Sequence, residues 1–151
     1  MLYERLVPLL KTPELSNDPF LLKQLAWVCV ELGDLGQAED AVERALTRVR
    51  AGNNRMGLVG LLRVQALLLI KQGRWAQAHC ALEEGLTLTR RMPYPHIEGR
   101  LLHVYGLLHV AKGELGPAQE RLEAALAIFR RLGARKDAER VERALAMDVE
   151  G

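Results

Sequence analysis

The chain has 151 residues, 49% of them hydrophobic, 26% charged and 5% aromatic, with a formal net charge of +2. A single mostly helical domain fits, and a chain this long buries roughly two-thirds of the surface its unfolded form exposes, so neither metal nor disulfide is required to hold it. The mild charge and a pI near 8.7 do not announce nucleic acid as a direct partner.

In chain order, residues 1–11 read as the tail of a helix that Pro8 bends or shortens. Asp18 followed by Pro19 starts the next helix: the carboxylate can cap free amides, and proline fits the first helical position. That helix runs from about Asp18 to Leu32, and after Gly33 a second runs from Leu35 to Arg50. The following pair is expected at Arg55 to Gln72 and Trp75 to Arg90, with Gly73 closing the first of them in a left-handed cap. Pro93 and Pro95 bracket Tyr94 in the turn that stops this pair and aims the next, His96 to Lys112 with Leu115 to Leu132. A last helix starts near Arg135. The most apolar stretch, Leu58 to Ile70, is interrupted by Arg63 and too short to span a bilayer, which makes it a buried helix and gives no membrane contact. The N-terminus carries no secretory-signal pattern, and a cytoplasmic location is expected.

These pairs are copies of one unit. Gly33, Gly73 and Gly113 stand 40 residues apart, each followed five places on by alanine (Ala38, Ala78, Ala118) and then by an aliphatic residue (Val42, Leu82, Leu122) and a leucine (Leu46, Leu86, Leu126). A fixed period of this size marks stacked helical hairpins that bury their apolar faces against neighbours. Counting back from Val42 and Leu46 reaches Leu2 and Leu6, and counting forward along Ala26, Ala66 and Gly106 reaches Ala146. Full repeats at about 18–50, 55–90 and 96–132 are thus flanked by a half-repeat at 1–11 and a half-repeat or capping helix at 135–149. Uncovered apolar faces on those end segments suggest self-association into a homo-oligomer.

No chemistry-bearing motif interrupts this pattern. His79, His96, His103 and His109 lack the close pairing of a metal site, and no glycine-rich phosphate loop occurs. Glu83 with Glu84, and Glu120 with Glu123, read as outward helix faces, and Trp75 as a core wedge. The basic run from Arg130 to Arg143, diluted by Asp137, Glu139 and Glu142, reads as a solvated face. Cys29 and Cys80 lack CxxC spacing and read as reduced, buried thiols. Catalysis, a metal and a cofactor are accordingly not expected.

The chain resembles the tetratricopeptide repeats. The positions that carry the resemblance are Ala26, Gly33, Ala38, Val42, Ala45 and Leu46; Ala66, Gly73, Ala78, Leu82, Gly85 and Leu86; and Gly106, Gly113, Ala118, Leu122, Ala125 and Leu126. It departs from the usual pattern in its 40-residue period, against about 34, and in Gly85, where alanine is usual. The longer repeat, with the segment from Ala125 to Ala134, is similar to sensor-region repeats of LuxR-type transcription regulators and signal-transduction ATPases. The resemblance implies an all-α, right-handed solenoid of antiparallel helix pairs, with each first helix (helix A) lining a concave groove. Groove-facing positions carried over from the family are Lys23 and Trp27, Arg63 and Leu67, and His103 and Leu107, with Phe20, Gly60 and Arg100 as a second row. Lys23, Arg63 and His103 then form a cationic ladder for an acidic peptide or an anionic group, and Trp27 an aromatic anchor. The family's two-carboxylate clamp is not reproduced, because Trp27 occupies its asparagine position. Two functions follow: a protein-interaction module that grips a partner helix or peptide, or a sensor of a small anionic metabolite, distinguished by an open groove against an enclosed polar pocket.

Overall fold

The computed structural model describes residues 2–11, 18–92 and 94–150. Among the described residues there are eight helices and no strands, and consecutive helices within each of two compact units, 1–74 and 75–151, pack on one another. Pro93 lies outside the described residues.

The first unit comprises α1 (Leu2–Leu10), α2 (Pro19–Leu32), α3 (Leu35–Ala51) and α4 (Arg55–Lys71). Helix α1 continues only two residues past Pro8, whose ring has no N–H to donate. It still places Leu6 in the core and lets the Tyr3 hydroxyl donate to Gln37 Oε1 on α3 at 3.1 Å. Asp18 caps α2 by accepting from the Leu21 amide at 3.0 Å. Gly33, with φ of 85°, then ends α2, and the Asp34 amide returns to the Cys29 carbonyl at 2.9 Å. Asp34 itself accepts from the Gln37 amide at 3.2 Å, so one Gly-Asp pair closes one helix and opens the next.

The glycine closure recurs 40 residues on, without the aspartate cap. Gly73 has φ of 73°, and the Arg74 amide returns to the Leu69 carbonyl at 2.9 Å. The turn between α3 and α4 uses Asn53 instead, at φ of 56°, followed by Asn54, whose side chain accepts from the Gly57 amide at 3.0 Å. Helix α2 packs against both α3 and α4 around a core that includes Leu22, Ala26, Cys29, Ala38, Val42 and Leu61. Ala26 and Ala38 are fully buried, as close approach of the paired helices demands. In α4 two stripes are buried, Leu61, Val64 and Leu68 on one and Val59, Leu62, Ala66 and Leu69 on the other, which accounts for its nearly continuous apolar sequence.

The second unit comprises α5 (Trp75–Arg91), α6 (Pro95–Lys112), α7 (Leu115–Leu132) and α8 (Arg135–Glu150). Helix α6 packs against α5, α7 and α8. Gly113, with φ of 78°, ends α6, and the Glu114 amide reaches the His109 carbonyl at 2.8 Å, repeating the closure of α2 and α4. Approach between α6 and α7 is so close that a Cβ on Gly106 would lie 2.6 Å from Leu122 Cδ2, and one on Gly99 would lie 2.8 Å from Phe129 Cε1. Helix α8 buries Ala138 and Val141, whereas Ala146, the last member of the small-residue series, is exposed.

Candidate functional site

In the first unit, the helix-A positions singled out by the sequence share one face. Phe20, Lys23 and Trp27 recur at helical spacing on α2, and Gly60, Arg63 and Leu67 repeat that spacing on α4, which packs beside it. Phe20 is 61% exposed and Trp27 37%, whereas Leu67 packs partly against the core. Lys23 lies across this face: its Nζ stands 5.4 Å from the centroid of the Phe20 ring, and a Cβ on Gly60 would lie 3.3 Å from that Nζ. With no side chain at residue 60, the end of the lysine lies directly over α4.

Arg100, His103 and Leu107 belong to α6, in the second unit. His103 and Leu107 are half-buried. Arg100 is engaged within its own unit, with Nε 3.7 Å from Asp137 Oδ1 on α8. Asp137 also meets His96 Nε2 at 2.8 Å and Arg140 Nη1 at 3.7 Å. Burial pushes the Asp137 carboxyl up, but the His96 hydrogen bond and the charges of Arg100, His96 and Arg140 outweigh that and hold it below its ordinary value.

A second polar cluster, around Tyr105 in the second unit, was not foreseen from the sequence. The Tyr105 ring on α6 is fully buried, and its hydroxyl donates to Glu83 Oε1 on α5 at 2.7 Å. His79 Nδ1 also contacts that hydroxyl; with the phenolic hydrogen committed to Glu83, Nδ1 must carry a hydrogen and donate. The Arg121 guanidinium lies 4.1 Å from the ring centroid, and the His109 ring stacks at 5.3 Å with planes 8° apart. Burial first, and then the Glu83 hydrogen bond and charge, push the phenol well above its usual range, with Arg121 opposing. Glu83 is therefore an inward partner rather than part of a solvated face. The only sequence signal was its spacing from His79, one helical turn along α5.

Two further expectations are corrected. Cys29 is buried, with its thiol pushed up by burial and by nearby Asp34, but Cys80 is exposed. Trp75 is half-buried at the first position of α5 instead of enclosed in a core. The arginines of the basic run are exposed as expected, and Arg130 pairs with the exposed Glu142 at 3.1 Å between α7 and α8. Among the described residues no group of three His, Cys, Asp or Glu side chains could hold a metal ion, and no helix is long and apolar enough to cross a membrane.

The turn from α3 to α4 carries two recesses, of about 130 Å³ beside Phe20 and Lys23 and about 220 Å³ beside Arg50 and Arg55. No protein-family model and no curated protein matches the chain.

Proposed function

We propose that the chain is a non-catalytic, tetratricopeptide-like solenoid module that binds a protein partner, helical or extended, across its helix-A face. The observation that carries this reading is the pair of exposed aromatics, Phe20 and Trp27, on one face of α2 with Lys23 between them and Arg63 on the adjacent helix. Large aromatic and cationic side chains on a shared surface are the groups that most often dominate protein recognition. The repeat resemblance supplies the setting: a cytoplasmic scaffold or sensor part of a bacterial-type signalling or transcription regulator. The recesses in the first unit, about 130 and 220 Å³, are each smaller than the usual small-molecule site of roughly 300–1,000 Å³.

Selection of a displayed random-peptide library against the wild-type chain, followed by counter-selection with Trp27→Ala and with Lys23→Glu/Arg63→Glu, tests the reading. Acidic sequences lost on both variants, with helicity unchanged, are expected. Selected peptides that bind all three proteins equally would place recognition elsewhere. Leu2 and Leu9 on α1 and Met147 on α8 are exposed, which supports self-association as a companion proposal; only monomer in sedimentation at high concentration would remove it.

A further inference from the structure

Within a hairpin, helix A and helix B meet in a fixed antiparallel register. In the second unit a Cβ on Gly106 would lie 2.6 Å from Leu122 Cδ2 and one on Gly99 2.8 Å from Phe129 Cε1, so residue 106 faces 122 and residue 99 faces 129. In the first unit Ala26 and Val42, at the positions of Gly106 and Leu122, are buried on the packed helices α2 and α3. Carried forward, the 40-residue period places Ala146 at the position of Gly106 and Glu139 at that of Gly99. Carried back, it places Leu2 and Leu9 at the positions of Leu122 and Phe129. These end positions are open where the inner ones are closed. Ala146 is exposed, and Leu2 and Leu9 are 41% and 42% exposed, whereas Leu122 and Phe129 are fully buried.

Helix α8 therefore presents the helix-A half of the hairpin contact, and α1 of the same chain presents the helix-B half. We propose that α1 of a second copy packs antiparallel on α8, with its Leu2 against Ala146 and its Leu9 along the stem of Glu139, so that copies join head to tail. Charge agrees with this occupant. Arg5, between Leu2 and Leu9, stands where the repeats carry Ala45, Gly85 and Ala125, and Glu139 stands where α4 and α6 carry Val59 and Gly99. Both side chains are exposed and opposite in sign, and the register brings them within about one helical turn across the contact. The two halves are different surfaces, which makes the contact heterologous rather than a patch meeting itself. This rests on the self-association proposed above and gives it a geometry.

Sedimentation equilibrium of the full 151-residue chain tests it. Leu2→Glu/Leu9→Glu spoils the α1 half and Ala146→Arg the α8 half; all three sites are exposed, and Leu6, which anchors α1 in the core, is untouched. Each variant alone is expected to associate at least about tenfold more weakly than wild type, the scale of one lost apolar contact. Mixed in equal amounts, the two are expected to form a heterodimer with wild-type affinity, since one intact α8 then meets one intact α1. Arg5→Glu weakens association about threefold, and adding Glu139→Arg restores it. Should either variant lose helicity by circular dichroism, Leu2→Ala and Ala146→Gln take their places in the mixture.

A wild-type chain that stays monomeric at millimolar concentration would overturn both this contact and self-association. Association abolished by one variant and untouched by the other would reveal one helix meeting its own copy, and would overturn the head-to-tail contact. A mixture that stays monomeric, or association that neither variant weakens, would overturn it as well. Each of these last three results leaves self-association standing.

Discussion

Tyr105 on α6 donates its phenolic hydrogen to Glu83 on α5 at 2.7 Å, from a ring with no solvent exposure. That bond couples two helices of the second unit through a polar group that burial alone would penalise. Tyr105→Phe keeps the ring and deletes the hydroxyl. Glu83 is half-buried and His79 exposed, so water can reach both, and the expected cost is about 1 kcal/mol in urea denaturation.

The same residue predicts an alkaline signature. Its folded pKa is raised, so its contribution is intact below the unfolded phenol value of about 10 and declines as pH rises past it. Stability of the wild-type chain should fall more steeply above about pH 10 than that of Tyr105→Phe. Parallel declines in the two proteins would show that the buried phenol does not govern this limb.

Gly106 and Leu122 set the spacing of α6 and α7. A methyl group added at Gly106 lies 2.6 Å from Leu122 Cδ2, which nothing can occupy without displacement of a fully buried leucine. Gly106→Ala should therefore lose about 1–3 kcal/mol despite its better helix propensity. A double-mutant cycle with Leu122→Ala reads the coupling directly: the two changes together should cost less than their sum.

Glycines in left-handed caps and helical glycines with open space around them should respond to alanine with opposite signs. Gly33, Gly73 and Gly113 have open space around a Cβ but positive φ, so each alanine costs about 1–2 kcal/mol through the backbone alone. Gly36 in α3 and Gly116 in α7 also have open space, and alanine there should stabilise by roughly 0.5–1 kcal/mol. Thermal or urea midpoints of the five single variants check the contrast.

Asp137 links α8 to α6 through His96 and Arg100. With a depressed folded pKa, its contribution is present above the unfolded carboxyl value of about 4 and is lost as pH falls through that value to the folded one. Because His96, Arg100 and Arg140 are all well exposed, the contribution is discounted to about 1 kcal/mol. Asp137→Asn should lose that much at neutral pH and show a weaker acid dependence below about pH 4, measured by urea midpoints across the range.

Helix ends were legible because their causes are local. Asp18 begins α2, Gly33, Gly73 and Gly113 turn the chain, and the expected helix from Leu115 to Leu132 is the one observed. The burial of Ala26, Ala66 and Gly106 was likewise readable from their spacing, since only small residues permit that approach. Ala146 shares the spacing but is exposed, so position in the repeat does not by itself bury a residue.

The sequence alone determined helix, turn and face, because capping chemistry and apolar periodicity act over a few neighbouring residues. Tertiary structure decided what each face meets. Glu83 finds Tyr105 across 22 residues of chain, and His96 finds Asp137 across 41. The recesses at the α3–α4 turn likewise join Phe20 and Lys23 to Val49 and Leu61, residues from three helices. Periodicity assigns a side chain to a side of its own helix, but the group opposite it, and the space left between them, depend on how neighbouring helices pack.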